Sequence, residues 1–252
     1  MALVRGAPQL LVETGSRGSI GYEGRMGRTV GLADRPYPIS GFSPRLLSGL
    51  AASSTAACTS GVVTVTATGH AIPATTFNGY QFYYPGSPSL AAGWYASFSR
   101  TEANSLTFAA PGTADFTSES VNGGAAFTSA VDFESFVMPA DTLSVGDRVT
   151  IQTYRASNNT ASTKTLALKI GANAVVTNAS TSTTLLCGTT DFAFVVDSVA
   201  TAVGHAAVVG TLGSAVTQVA ADITADLTIS LTGQVSVASV YIAMIAAKVR
   251  ID

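Results

Sequence analysis

The chain has 252 residues, of which 47% are hydrophobic and only 11% charged, with a formal net charge of −2. Length admits one large β domain or two smaller ones. So few charges exclude charge-driven disorder and a coiled coil, and the slightly negative balance offers no overall basic field for nucleic acid. A surface this poor in charge is expected to be covered by copies of itself or by a larger assembly.

Residues 1 to 50 differ from the rest. They carry Arg5, Arg17, Arg25, Arg28, Arg35 and Arg45 against Glu13, Glu23 and Asp34, a balance of +3 where the remainder is −5. Neither the helix nor the strand period runs through them, so an extended arm is expected. Gly15, Gly18, Gly21, Gly24 and Gly27 recur every third residue. A collagen-like triple helix would need that spacing, but the run is short, holds no proline within it and loses phase at Val30-Gly31. The fork-like donors of arginine suit docking onto carboxylates of a partner protein.

From 51 to 115 short alternating runs predict a small β module. Val63, Val65 and Ala67 form one run, Tyr80, Phe82 and Tyr84 a second, Trp94, Ala96 and Phe98 a third, Leu106 and Phe108 a fourth. Asn78-Gly79 and Pro111-Gly112 are turn signals. From 116 to 252 the strands lengthen. One face is read for Phe127, Ser129, Val131, Phe133 and Ser135, then come Val149 and Ile151, Leu166 to Ile170, Phe192 to Val196, Leu227 to Leu231, and a last pair between Val240 and Ile251. Seven or eight evenly spaced strands without a convincing helix predict a two-sheet sandwich. The uncharged stretch from Leu227 to Ala247, followed by Lys248 and Arg250, imitates a membrane anchor, but its apolar residues alternate with Thr228, Ser230 and Thr232, which reads as strand. Neither a membrane insertion nor an N-terminal signal peptide is expected.

Two resemblances extend this reading. The run Pro139-Ala140-Asp141-Thr142-Leu143-Ser144-Val145-Gly146-Asp147-Arg148-Val149, with Thr163 to Gly171 and Asp226 to Gly233, resembles a β-sandwich domain of tailed-bacteriophage virion proteins. Gly61 to His70, with Ala92-Gly93-Trp94-Tyr95 and Ser105 to Phe108, is similar to a small β module of phage tail proteins. That module usually has glycine after the histidine, where Ala71 stands here. The residue patterns predict an all-β protein with an extended N-terminal arm (1–50), a small β module (51–115) and a C-terminal β-sandwich (116–252), and the resemblance implies that this sandwich is a jelly roll. It further implies a homotrimer on the virion surface, assembled in the host cytoplasm: a tail or neck fibre, a capsid decoration protein at threefold positions, or a receptor-binding protein.

Chemistry is sparse. His70 and His205 are the only histidines, and Cys58 and Cys187 read as separate free thiols. No nucleophile elbow, phosphate-cradling loop or calcium loop is present, so no enzyme, cofactor or metal site is expected. Asp132 and Glu134, two apart on one strand, are expected to share a face, and Asp222 and Asp226 flank a late strand. Both pairs read first as solvated or intersubunit carboxylates rather than as the acid pair of a glycosidase. The arginines of the arm are the candidate particle-docking residues. Tyr83, Trp94 and Tyr95 are candidates for contact with a host-surface glycan, because tyrosine and tryptophan stack on sugars and anchor interfaces.

Overall fold

A computed structural model describes residues 43–122, 130–158, 160–180, 186–207 and 217–251. The described residues are all β, with no helix. In chain order the strands are β1 (Arg45–Ser48), β2 (Thr55–Thr59), β3 (Val62–Thr66), β4 (Gln81–Tyr84), β5 (Gly93–Tyr95), β6 (Ser99–Glu102), β7 (Ser105–Ala109) and β8 (Phe116–Ser120). There follow β9 (Val131–Met138), β10 (Arg148–Ser157), β11 (Lys164–Ile170), β12 (Asn173–Ser180), β13 (Leu186–Val196), β14 (Thr201–Ala207), β15 (Gln218–Ala220), β16 (Leu227–Val235) and β17 (Tyr241–Ile251).

Three sheets result. The largest runs β15-β14-β13-β10-β17-β1-β4-β5, the second β12-β11-β16-β9, the third β6-β7-β3-β2-β8. From β9 to β17 the chain passes repeatedly between the first two sheets, and adjacent strands there are antiparallel. The chain changes sheet between β9 and β10, β10 and β11, β12 and β13, β15 and β16, and β16 and β17, while β11–β12 and β13–β14–β15 are neighbours within one sheet. The two inner faces thus close one core as a two-sheet sandwich. The inner faces are the β-branched and aromatic alternation of the sequence. Val149 and Ile151 of β10, Leu166, Leu168 and Ile170 of β11, Phe192 and Phe194 of β13, and Ile229 and Leu231 of β16 are all buried.

The stretch from Leu227 to Ala247 holds two strands, β16 and the start of β17, joined by a turn. Among the described residues no helix is long and apolar enough to cross a membrane.

Four expectations change. Residues 45–50 lie within the stretch assigned to the arm, yet β1 is an internal strand, antiparallel to β17 and parallel to β4. Leu46, Leu47 and Leu50 are sealed in the core. Secondly, the middle segment is joined to the sandwich, because β4 and β5 extend the large sheet while their other face carries the third sheet. Phe82 stacks on Phe98 at 5.1 Å, and Tyr84 and Tyr95 meet Phe108 at 5.2 and 5.0 Å. The run from Trp94 to Phe98 is also no continuous strand, since Ser97 turns it at φ 59°.

The fourth change is on β9. Thr232 pairs with Asp132 but Leu231 pairs with Glu134, so Phe133 is an extra residue in a bulge. Leu231 and Thr232 point to opposite faces, and their partners do likewise. Asp132 and Glu134 therefore do not share a face, and Phe133 is buried while Ser135 is exposed. The cause is Gly233: a Cβ there would lie 2.1 Å from the Phe133 ring, and its absence makes the space that the extra residue fills.

Candidate interaction site

Of the arginines expected to dock the protein, Arg5, Arg17, Arg25, Arg28 and Arg35 lie outside the described residues. Arg45 opens β1. Register sets it beside Gln81 of β4, whose side-chain carbonyl accepts its Nε–H at 2.9 Å. One guanidinium nitrogen lies 3.3 Å from Glu134 Oε2, and Cζ stands 5.4 Å from the centroid of the Trp94 ring. The ion pair is partly sheltered, with 19% and 24% side-chain exposure. Burial lowers the Arg45 pKa, and Glu134 opposes that shift. With these partners Arg45 ties β1 to β9 rather than standing free for another protein.

Tyr83 and Trp94 face each other across β4 and β5, ring centroids 5.4 Å apart and edge to face. Trp94 also lies 5.4 Å from Phe133, and its indole N–H donates to the Asp132 carbonyl at 2.9 Å. Among the described residues, β5 and β9 are the edge strands of their two sheets. The indole thus caps a backbone acceptor on one exposed edge from a position on the other, which guards both against strand addition. Its ring is met by Arg45, Tyr83 and Phe133, and its donor is used. A sugar stacking on Trp94 would have to displace side chains already there.

Tyr95 packs on Phe108, and its hydroxyl donates to the Ala91 carbonyl at 2.8 Å. Burial raises the pKa of both Tyr83 and Tyr95. The glycan candidates are thereby divided: Tyr83 and Trp94 belong to the seam between the sheets, Tyr95 to the core over the third sheet. Sequence reading missed Gln81, Phe133 and Glu134 as members of the seam. Their one signal was Gly233 in an otherwise regular strand, a mark of a bulge or a close approach.

The carboxylate pairs are also apart in role. Glu134 is held by Arg45, and Asp132 is exposed on the other face. Asp222 accepts from the amide and hydroxyl of Thr224 at 3.0 and 2.6 Å, and these bonds lower its pKa. Asp226 Oδ1 accepts the Ala140 amide at 2.9 Å. Both aspartates line an open cavity of about 290 Å³ with Asn173 and Gly171. Bonded in this way, they brace the loops around β16. Burial, and next the charge of Arg100, lower the His70 pKa, which favours the neutral ring. Cys58 is sealed inside β2. No group of three or more His, Cys, Asp and Glu side chains suited to a metal exists among the described residues.

Elsewhere the described surface exposes Val62, Val137, Val145, Tyr154, Val199, Val237 and Ile245. Tyr154 and Ile245 adjoin at a second irregularity, where Tyr154 pairs with Ala246 but Arg155 with Met244. Comparison with protein-family models, with curated proteins and with solved structures gave no match to this chain.

Proposed function

We propose that this protein is a non-enzymatic structural component of a tailed-bacteriophage virion, a homotrimeric tail or neck appendage anchored to the particle through its arginine-rich N-terminal arm. The reading comes from the sequence resemblances. The observation that supports it best is the two-sheet antiparallel sandwich in the segment that carries the first of them, joined to a small aromatic β segment. An 11% charge content and exposed valines, Tyr154 and Ile245 suit burial against copies of the same chain. The arm's part narrows to residues before β1, with Arg5, Arg17, Arg25, Arg28 and Arg35 as the docking side chains.

The test is composition and attachment. Mass spectrometry of purified particles should find the chain as a stoichiometric component. A full-length variant with those five arginines changed to glutamine should fold and trimerise yet fail to join particles. Absence from particles, or attachment undiminished in the variant, would refute the reading. Placement at threefold capsid positions in labelled particles would replace the appendage by the decoration protein. Binding to arrayed host glycans would favour the receptor-binding one.

A further inference from the structure

Between β3 and β4 the chain forms a lobe of turns, Gly69 to Gly79, that buries Ile72 and Phe77. The Phe77 ring meets Tyr241 of β17 edge to face at 5.3 Å. Strand β6 and the residue before it hold the lobe down. The Arg100 guanidinium donates to the Ile72 carbonyl, the Arg100 amide to the Asn78 side-chain oxygen at 3.0 Å, and the Gly79 amide to the Phe98 carbonyl at 2.7 Å. Thr75, exposed among these anchors, has φ 61°, a left-handed conformation that a β-branched residue keeps only where its surroundings impose it. The lobe is tied down over a strained turn.

His70 stands at the root of this lobe. Both of its ring nitrogens are shut off from solvent, and neither has a hydrogen-bond partner among the described residues. A neutral imidazole there leaves one donor and one acceptor unmet, whereas a protonated one leaves two donors and a charge. The charge acting on the ring is that of Arg100, the side chain that also holds Ile72. The Ala103 carbonyl pulls the other way without reaching hydrogen-bond geometry. Of the neighbouring elements, β6 adds Glu102, which is exposed and whose backbone carbonyl accepts Arg100 Nε–H at 3.3 Å. The end of the lobe adds Tyr80 and β17 adds Tyr241, while β3 and β7 carry no titratable side chain.

We infer that the lobe from Gly69 to Gly79 is an acid-released clamp. Proton uptake by His70 sets two cations beside each other beneath it, and swinging the lobe outward relieves them by hydrating the ring. Burial and Arg100 both lower the His70 pKa. The clamp's full hold is therefore present above the unfolded histidine value, about 6.5, and is lost as pH falls from there through the folded value. Release begins about two units above the ordinary carboxylate range, so the two effects are separable. An apolar patch of Ile72, Phe77 and the uncovered Tyr241 ring is then offered at acid pH alone. This holds whatever the protein attaches to.

The test is hydrogen exchange of the full chain between pH 7 and pH 5, corrected for the intrinsic effect of pH on exchange. The amides of Asn78, Gly79 and Tyr80 donate to the carbonyls of Thr75, Phe98 and Phe77. Their protection should fall with pH, by up to about tenfold per unit for one proton taken up, while the amides of β10 keep theirs. The His70 ring resonances should titrate with a midpoint below about 6.5, and the response of the lobe should vanish in His70→Gln. Protection of the lobe independent of pH, a loss shared equally by β10, or a response kept in His70→Gln would overturn the inference. If His70→Gln fails to fold, the ring titration of the parent decides, and a midpoint at or above the ordinary histidine value refutes the clamp.

Discussion

Trp94→Ala would remove the ring between Arg45, Tyr83 and Phe133 and leave the Asp132 carbonyl without its donor. Large-to-small changes at packed aromatic sites cost about 3–5 kcal/mol when fully buried, and about 2–4 kcal/mol is expected for this half-buried one. Urea denaturation measures it, and Trp94→Phe should recover the ring contacts but not the hydrogen bond. A loss under 1 kcal/mol would mean the indole is a surface group open to ligands. Gly204 is constrained differently. A Cβ on it would sit 2.0 Å from the Val175 carbonyl oxygen, a backbone atom of the facing sheet that no side-chain rotation can move aside. Gly204→Ala should therefore destabilise by about 1–3 kcal/mol. Denaturation unchanged from the parent would show that β12 and β14 separate easily.

At the scale of elements, the loop between β4 and β5 is clipped to β8 through one carboxylate. Glu119 accepts both the amide of Ser89, at 2.9 Å, and its hydroxyl. The Ser89 hydroxyl bond is the main cause of a lowered Glu119 pKa. A depressed folded pKa means that the clip's contribution is present above the ordinary glutamate range, near 4.3, and is lost as pH falls through the folded value. The Ser89 amide resonance should accordingly titrate below the ordinary glutamate range, and the titration should vanish in Glu119→Gln. An amide shift independent of pH in the parent would sink the assignment. The bulge on β9 shows why alternation alone misplaced a pair of acids: one inserted residue reverses every face that follows it.

For the whole molecule, the eight-stranded sheet makes cooperative unfolding the expectation for the sandwich and the middle segment together. A chain beginning at Ala51 would lack β1 and with it Leu46, Leu47 and Leu50, three fully buried side chains between β17 and β4. It should fail to give a single sharp unfolding transition, whereas a chain with only the first 30 residues removed should melt as the parent does. Calorimetry distinguishes the two. Light scattering at micromolar concentration should give three times the chain mass, and a monomer mass would contradict the trimer.

Fold class was legible because burial on one face of a strand writes itself as a period of two. Val63 to Ala67, Leu166 to Ile170 and Leu227 to Leu231 each carried that period, and all lie as strands or strand ends with their apolar residues inward. The turn at Asn78-Gly79 was equally local, and Gly79 adopts φ 88° there. What the sequence could not disclose is which strands meet. Arg45-Leu46-Leu47-Ser48 is too short for any period to emerge, and its place between β17 and β4 depends on partners roughly 200 and 36 residues away. The bulge at Phe133 needed Gly233, a hundred residues on, to make room for a ring. Local backbone preference decides that a segment is extended; only packing of distant strands decides which face, which neighbour and which edge.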